Sequence, residues 1–459
     1  MGMDVTIVNV ALPSIEEELH VTLSGLQWII DAYTLAVASL LMLAGSVSDR
    51  HGRRRIFQVG LCLFTLGSLL CSLAPSIGGL VGFRIVQGLG ASMLNPVALS
   101  IIANAFSEPQ ERARAVGIWG AVAGISFALG PLLGGALTQA ISWRANFWIN
   151  VPIGIAAVIL TAKFVPESKA SRPRAFDPVG QLLIALALAT LTYGLIEGPH
   201  SGWNSALITG LFACSAILFT AFLLYEPLRK DALLDLRFFR SVPFSTAMIT
   251  GFCAYACFAA FLFLNALYLQ QQRGLSAFRT GLYTLPLAVL LMICAPLSGR
   301  LVGRTGPRRS LMAAGAGFSL STVLLTNLSI GTPLLILVLS YVLFGIALGM
   351  VNPAITNSAV AGMPLAQAGV AAAVASTSRQ VGAALGVAIA GTVVSTRHAQ
   401  ENDFARATHP IWWLMVGCGA VILALGWTSS TAWALTSAER VAHLVDTAEA
   451  SYESISKSA

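Results

Sequence analysis

Long apolar segments, separated by short polar connections, follow one another along almost the whole chain. Thirteen of them have close to the 20 or so residues that an α-helix needs to cross the hydrocarbon core of a bilayer. This pattern predicts an all-α polytopic membrane protein. The segments lie near residues 23–47, 56–76, 78–102, 114–139, 145–165, 178–196, 204–226, 244–269, 280–303, 309–328, 332–356, 368–395 and 411–435.

Residues 1–19 form a fourteenth, shorter candidate. Its apolar part ends at Ile15, which is below the length of about 17–25 residues that a crossing requires. It contains Asp4, ends in three glutamates and lacks the basic start of a signal peptide. We therefore expect the outer part of a first helix whose inner end precedes Met1, as either a start codon assigned too late or a shortened N-terminus would produce.

The composition excludes a water-soluble globule. Of the 459 residues, 56% are hydrophobic and only 10% are charged, against about 25% charged residues in an average soluble protein. The seven cysteines lie in apolar segments without a CxxC motif or a Cys/His cluster, so we expect neither disulfides nor a metal site. The six histidines fall in connections or in the tail, which argues against a histidine proton relay inside the membrane.

The positions of the basic residues predict the topology. If the first segment ends outside, 20 of the 27 lysines and arginines fall on the cytoplasmic side, five on the opposite side and two within spans. Cytoplasmic loops of membrane proteins carry such an excess. The distribution predicts fourteen spans with a cytoplasmic C-terminus. It also accounts for the net charge of +7, so no nucleic-acid partner is expected.

Two patterns recur at nearly the same distance along the chain. Residues 45–55 match residues 299–309 at an offset of 254, and residues 84–96 match residues 341–353 at an offset of 257. These matches predict a parallel repeat of two six-helix bundles, an architecture found in transporters. The predicted units are residues 1–165, an inserted helix pair with its flanking loops at 166–243, residues 244–435 and a cytoplasmic tail at 436–459.

Four motifs resemble those of a known family. They are the first-helix stretch from Asp4 to Pro13, the loop from Gly45 to Arg55, the fourth-helix stretch from Arg84 to Gly90, and the fifth-helix stretch from Gly130 to Gly135. With them, the whole chain resembles the major facilitator superfamily, in particular its fourteen-helix drug:proton antiporter branch and, within that branch, exporters of the methylenomycin A resistance type. The resemblance implies a major facilitator fold and proton-coupled export across a bacterial plasma (inner) membrane. The chain departs from the family only in lacking residues before the Asp4 motif.

Ionisable groups inside the predicted spans are few, and such groups are usually functional because burying them is costly. Asp4 lies about 18 Å inward of the end of its segment, Asp31 about 12 Å and Arg84 about 9 Å from the outer ends of theirs. The similar depths of Asp31 and Arg84 allow an ion pair between them. We expect proton coupling at Asp4, Asp31 and Arg84, which the resemblance also implies for Asp4 and Arg84. The alternative is a fixed Asp31–Arg84 pair that holds helices together.

The connection after the second segment is predicted to be a gate. A short charged loop with glycine turns can pair with a neighbouring helix end in one conformation and release it in another. A plain positive anchor would explain Arg53 but neither Asp49 nor Gly52, and the second copy has Gly303 in place of Asp49. The predicted gating residues are Gly45, Asp49, Arg50, Gly52 and Arg53.

The fifth-helix motif consists of Gly130, Pro131, Gly134 and Gly135. Such small residues often serve close helix packing in membranes. Only the resemblance makes them a marker of antiport, in which they would limit leakage through the cavity.

Polar side chains in other spans are candidates for a substrate cavity. None of those in the second half is a carboxylate, so we expect a lipophilic substrate that is neutral or singly charged. The candidates are Asn9, Gln87, Tyr255, Asn265, Tyr283, Asn352 and Arg379.

The leading prediction is a monomeric, proton-driven exporter that needs no cofactor besides the proton gradient. The alternative within the same fold is a transporter of a small metabolite. An enzyme is not expected, because the sequence shows no catalytic set. An ATP-driven pump is excluded within this chain, since no lysine follows a glycine and a phosphate-binding GxxxxGK loop is therefore absent.

Overall fold

The computed structural model describes residues 2–106, 108–170, 177–229, 235–361, 363, 365–401 and 403–441. Among these residues the backbone is almost entirely helical and contains no strand, which confirms the all-α prediction. The predicted tail from residue 442 onwards lies outside the described residues. The same holds for residues 171–176 and 230–234, which flank the inserted pair.

A helix lies at the position of every predicted span. Two of the spans are each made of a short and a long helix, namely α6 with α7 and α15 with α16. A π-helical turn, Tyr268–Gln272, extends α10. The helices are α1 Gly2–Leu19, α2 Leu23–His51, α3 Arg53–Ser72, α4 Ile77–Ala105, α5 Pro109–Ala140, α6 Ala145–Trp148, α7 Asn150–Phe164, α8 Pro178–Ser201, α9 Ala206–Tyr225, α10 Val242–Leu267, α11 Ala277–Thr305, α12 Arg308–Val323, α13 Leu334–Val360, α14 Leu365–Glu401, α15 Phe404–Ala407 and α16 His409–Thr428.

Eleven helical segments in the described part of the chain are long and apolar enough to cross a membrane. This confirms a protein with many spans. Three helices at predicted spans are not among the eleven: α1 with 18 residues, α12 with 16 and α14 with 37.

Hydroxyl and carboxylate side chains determine where many of the helices begin. Each accepts a hydrogen bond from the backbone N–H three residues later, which satisfies a donor that the first turn leaves unpaired. Such N-caps occur at Thr22, Ser76, Asp177, Ser205, Ser241 and Ser276.

Helix contacts in the first half of the chain recur in the second half. The pairs α1–α5, α2–α4, α3–α4 and α3–α7 have counterparts in α10–α14, α11–α13, α12–α13 and α12–α16. Two large contacts join the halves, α2–α14 and α5–α11. We call these two contacts between the halves seams. The sequence offset relates α2 to α11 and α5 to α14, so a two-fold rotation that superposes one half on the other exchanges the two seams.

Helices α8 and α9, which correspond to the predicted insertion, pack against each other at the edge of one seam. Only α8 makes extensive contacts with both halves, through α2 and α14. Helices α2 and α7 end on the same side of the molecule. We call this side the arginine-rich end, after Arg50 and its neighbours. The opposite end, where α1 finishes and α2 begins, is the arginine-poor end.

Candidate functional site

A buried ion pair joins α1 to α4. Nη1 of Arg84 lies 2.8 Å from Oδ2 of Asp4, and the two side chains are 2% and 0% exposed. Nε of Arg84 donates a hydrogen bond of 3.0 Å to the carbonyl oxygen of Ile29, and the guanidinium lies 4.2 Å from the centre of the Tyr33 ring. A buried charge is stable only when it is paired and hydrogen-bonded, and this guanidinium meets both conditions.

Three neutral polar side chains complete the surroundings of Asp4. Its Oδ1 accepts hydrogen bonds from Nε2 of Gln87 at 2.8 Å and from Nδ2 of Asn150 at 3.0 Å. The same two amides donate to Oγ of Ser68, at 2.6 Å and 3.3 Å. Oε1 of Gln87 in turn accepts from Nη1 of Arg84 at 2.7 Å. Helices α1, α3, α4 and α7 therefore meet in one polar network.

The hydrogen bonds that Asp4 makes are all directed towards its carboxylate. Arg84, Gln87 and Asn150 each donate to Asp4, which suits a carboxylate because the ionised group is a pure acceptor. Protonation would cancel the charge facing Arg84 and leave a buried guanidinium without its counter-ion, a costly arrangement. Asp4 and Arg84 therefore stabilise each other's charge inside the protein.

Asp31 does not pair with Arg84, so the ion pair that their similar depths allowed does not form. Both carboxylate oxygens of Asp31 are buried without a hydrogen-bond partner. Helix α2 faces Arg84 with Ile29 and Tyr33, which lie two residues before and after Asp31. Since each residue turns the helix by about 100°, Asp31 points to the opposite side, towards α14. Depth in the membrane says nothing about this direction.

The fifth-helix motif brings α5 close to α1. Gly130 and Gly134 lie four residues apart on the same face of α5. A methyl group at Gly130 would overlap Oγ1 of Thr6, and one at Gly134 would come within 2.7 Å of a side-chain carbon of Ile7. Thr6 and Ile7 follow Asp4 on α1 after only two or three residues. The two glycines therefore allow α5 to pack closely against α1, the helix that carries Asp4.

The other two residues of the motif face α11. A methyl group at Gly135 would overlap the backbone of Ala277, and one at Gly281 would overlap the carbonyl oxygen of Pro131. At both points, backbone lies directly against backbone. The seam between α5 and α11 is therefore closed near the arginine-poor end by residues without side-chain bulk.

Glutamine side chains close the remaining contacts between the halves at the same end. Nε2 of Gln27 donates to the carbonyl oxygens of Val387 and Ala388 in α14, at 3.3 Å and 2.9 Å. Nε2 of Gln270, in the π-helical turn, donates to the carbonyl oxygen of Val10 in α1 at 2.8 Å. Turns of this type often mark functional sites, and here the turn carries a contact between the first helices of the two halves.

The predicted gating loop binds the segment that follows α7. The carboxylate of Glu167 accepts hydrogen bonds from the backbone N–H groups of Arg54 at 3.0 Å and Arg55 at 3.3 Å. It thus caps the first turn of α3, where Gly52 has no side chain to do so. A negative charge at a helix N-terminus is also favoured by the helix dipole.

The other gating candidates lie around this contact. Asp49 and Arg53 form an ion pair of 3.0 Å, and the backbone of Arg53 donates to the carbonyl oxygen of Ser168 at 2.9 Å. Gly45 and Arg50 lie in the last turns of α2. The loop is therefore held to the connection between the first half and α8.

Gly52 is required at its position for two reasons. Its φ of +112° is in the region that favours glycine, and a methyl group there would come within 2.7 Å of the Glu167 carboxylate. We expect Gly52→Ala to lose the cap and to destabilise the detergent-solubilised protein by clearly more than backbone strain alone, which costs about 1–3 kcal/mol.

Gly202→Ala is the matched control for this prediction. Gly202 also has a positive φ, +82°, but nothing lies within 4 Å of the added methyl group. Unfolding midpoints of the two variants separate strain from the clash with Glu167. Equal midpoints would show that the Glu167 contact contributes nothing.

Polar candidates in the second half fall into two groups. Tyr255 donates from its hydroxyl to Oδ1 of Asn352 at 3.0 Å, and the guanidinium of Arg379 lies 5.9 Å from the Tyr255 ring centre. These three side chains are half-buried. Asn265 is buried instead, and its Oδ1 accepts from the hydroxyl of Tyr341 at 2.5 Å.

The contact between Asn265 and Tyr341 corresponds to the contact between Asp4 and Arg84 in the first half, since Tyr341 occupies the position of Arg84 at the offset of 257 residues. Each half thus joins its first helix to its fourth by a buried polar contact, which is charged in one half and neutral in the other. Two more cavity candidates lie apart from both groups. Asn9 donates to the carbonyl oxygen of Val5, and Tyr283 packs half-buried against the apolar core.

Sequence reasoning missed Asn150, Ser68 and Glu167. Asn150 could have been found as an amide inside an apolar span, and Glu167 as an acid in a strongly basic connection. Ser68 gave no signal, because serines are common in membrane helices.

Comparison with known proteins identifies relatives over most of the chain. The family model described as Major Facilitator Superfamily matches residues 1–387. The methylenomycin A resistance protein of Bacillus subtilis is 34% identical over 426 residues, which are 92% of this chain and 90% of that protein. The multidrug resistance protein Stp of Mycobacterium tuberculosis is 37% identical over 393 residues, 86% of this chain and 73% of that protein.

A solved structure shares the fold. The crystal structure of the human organic anion transporter MFSD10 superposes with a TM-score of 0.61 at 16% identity, covering 93% of this chain and 97% of that one. At this identity the similarity concerns the fold alone.

Proposed function

Since this chain belongs to the Major Facilitator Superfamily, we propose that it exports lipophilic drugs or an antibiotic from the cytoplasm in exchange for protons, by alternating access. Family membership makes the chain a membrane transporter with many spans and not an enzyme. Relatives named for multidrug resistance and for methylenomycin A resistance support the choice of substrate class.

The proposed topology has fourteen spans in a bacterial plasma membrane. Residues 1–165 and 244–435 form the two six-helix bundles, residues 166–243 contain the inserted pair, and residues 436–459 form a cytoplasmic tail. The excess of arginine at one end supports a cytoplasmic position of that end. We propose a monomer that works without a cofactor.

The observation that carries the proposal is the buried pair of Asp4 and Arg84. The polar network around Asp4 stabilises the carboxylate, and protonation would release Arg84 from it. The pair lies between helices of one half only. Proton uptake can therefore alter how that half packs, which is the requirement for coupling a proton to the exchange of conformations.

The contacts between the halves support an alternating mechanism. In this structure Gln27, Gln270 and Gly135 close the seams near the arginine-poor end. If that end is external, the described conformation is closed towards the outside. Opening would require these contacts to separate, and they consist of a few hydrogen bonds and of backbone contacts.

The second half supports a substrate of low charge. From residue 236 to residue 400 the sequence contains no aspartate or glutamate. The half-buried side chains of Tyr255, Asn352 and Arg379 offer a ring, an amide and a guanidinium. Such a surface suits an aromatic or lipophilic compound that is neutral or carries one charge.

Transport into liposomes tests the proposal. Purified protein is reconstituted, an acidic interior is imposed, and the uptake of ethidium, tetraphenylphosphonium and methylenomycin A is measured. We expect uptake of one or more of these compounds that stops when nigericin collapses the pH gradient. Gradient-driven uptake of sugars or amino acids alone would favour a metabolite transporter, and uptake unaffected by nigericin would contradict proton coupling.

A further inference from the structure

Two buried polar groups between α2, α8 and α14 have no hydrogen-bond partner. They are the carboxylate of Asp31, with both oxygens unpartnered, and the hydroxyl of Thr192 in the inserted helix. Both residues are 0% exposed. Buried polar groups in native proteins are nearly always hydrogen-bonded, to protein or to water. Two such groups in one seam therefore point to a ligand that serves both.

Helix packing places the two groups in the same layer of the molecule. Leu35 of α2, Leu188 of α8 and Ala384 of α14 form one apolar cluster. Residues four apart lie on the same face of a helix. One turn nearer the arginine-poor end, α2 therefore presents Asp31 and α8 presents Thr192 to the same seam.

Glu197 lies beyond this layer, towards the arginine-poor end. Its Oε1 accepts a hydrogen bond of 2.9 Å from Nε1 of Trp28, and its side chain is only partly buried. Thr192 and Glu197 are five residues apart, about 7.5 Å along the helix axis. Between α2 and α14, the side chain of Gln27 fills the space that separates Asp31 from the arginine-poor surface, and its amide donates to the carbonyl oxygen of Ala388.

The charged surroundings of Asp31 are simple. On α8 the titratable groups are Glu197, the exposed His200 in the last turn, and Tyr193, whose ring packs 5.6 Å from that of Trp28. On α14 the sequence has no ionisable residue from 381 to 394. Asp4 and Arg84 lie on the other side of α2 and bond to each other. Glu197 is thus the carboxylate between Asp31 and the arginine-poor surface among the described residues of this seam.

We propose that the inserted helix α8 supplies a proton path to Asp31. A water molecule bound between the Thr192 hydroxyl and the Asp31 carboxylate is the ligand of this seam. Glu197 takes a proton from bulk water and passes it through intervening water molecules to the bound water, which gives one of its own protons to Asp31. Glu197 returns to the carboxylate form and Asp31 becomes neutral. This path rests on the proposed proton-coupled export, for which it adds a second protonation site.

Two substitutions test the path in the reconstituted full-length protein. Thr192→Val keeps the shape of the side chain but removes the hydroxyl, and Glu197→Gln keeps the acceptor for Trp28 but cannot carry the proton. We expect each to slow ethidium uptake driven by a pH gradient at least about fivefold. Thr190→Val is the matched control, because the Thr190 hydroxyl bonds within its own helix, to the carbonyl oxygens of Leu186 and Ala187.

A second measurement separates proton transfer from a structural role. Exchange of labelled for unlabelled ethidium at equal pH on both sides requires the conformational change but no net proton movement. We expect this exchange to remain as fast in Thr192→Val and Glu197→Gln as in the unsubstituted protein. Equal slowing of both activities, or unchanged gradient-driven uptake in both variants, would overturn the path. If the unsubstituted protein shows no gradient-driven uptake, the proposed function itself fails, and the path with it.

Discussion

An Asp4→Asn variant is expected to insert into the membrane and to lose proton-driven export. Asparagine has nearly the same shape as aspartate but cannot carry the charge that Arg84 faces at 2.8 Å. Leaving one partner of a buried pair without its counter-charge costs about 3–5 kcal/mol. The balance between conformations that hold and release the pair should therefore shift by at least about a hundredfold.

The measurement is ethidium uptake into proteoliposomes with and without a pH gradient. The expected result is gradient-driven uptake at the level of empty liposomes, with binding of ethidium retained. Asp403→Asn serves as the control, because Asp403 is a carboxylate at the arginine-poor end that caps α15. Normal driven uptake by Asp4→Asn would remove Asp4 from the coupling mechanism. Arg84→Ala should fail in the same way, since it deprives Asp4 of its charged partner.

The second large effect is expected from Gly281→Ala in α11. The added methyl group would overlap the carbonyl oxygen of Pro131, and a backbone atom cannot rotate away as a side chain does. Overpacking of this kind costs about 1–3 kcal/mol, which corresponds to a shift of about five- to a hundredfold in an equilibrium. We expect the variant to favour conformations in which α5 and α11 separate at the arginine-poor end.

Distances between spin labels on these two helix ends report the shift. Labels at Gln139 and Leu275 flank the seam, in a protein whose exposed Cys62 and Cys214 have been replaced by serine. Gly299→Ala is the control in the same helix, because nothing lies within 4 Å of its added methyl group. An unchanged distance distribution in Gly281→Ala would show that this contact does not hold the seam closed.

The fold was predictable because two independent signals agreed. Apolar length located a helix at every predicted span, and the recurrence of the Arg84 stretch around Tyr341 related the halves. The repeated helix contacts follow from that relation. Helix ends were less certain, since α2 continues to His51, four residues beyond the apolar part, and is stopped only by the positive φ of Gly52.

The members of the buried ion pair could be selected from the sequence, but their pairing could not. An acid and an arginine inside spans signal function through their cost of burial, so Asp4 and Arg84 could be selected from the sequence. Which acid meets the arginine depends on the direction in which each side chain leaves its helix. For α2 that direction is determined by packing against α4 and α14, which no single-chain pattern reveals. Glu167 acts across a separation of more than a hundred residues, for which the loop motif contains no sign.

The inserted hairpin α8–α9 also bears on how such a chain could arise. It leaves from and returns to the same end of the molecule, because two crossings form an even number. An insertion of two helices leaves the direction in which every later helix crosses the membrane unchanged, so α10 to α16 keep the orientation of α1 to α7. A single additional helix would have turned the whole second half upside down and placed Arg304 and its neighbours on the wrong face. A hairpin is thus the smallest insertion that a duplicated parallel bundle tolerates.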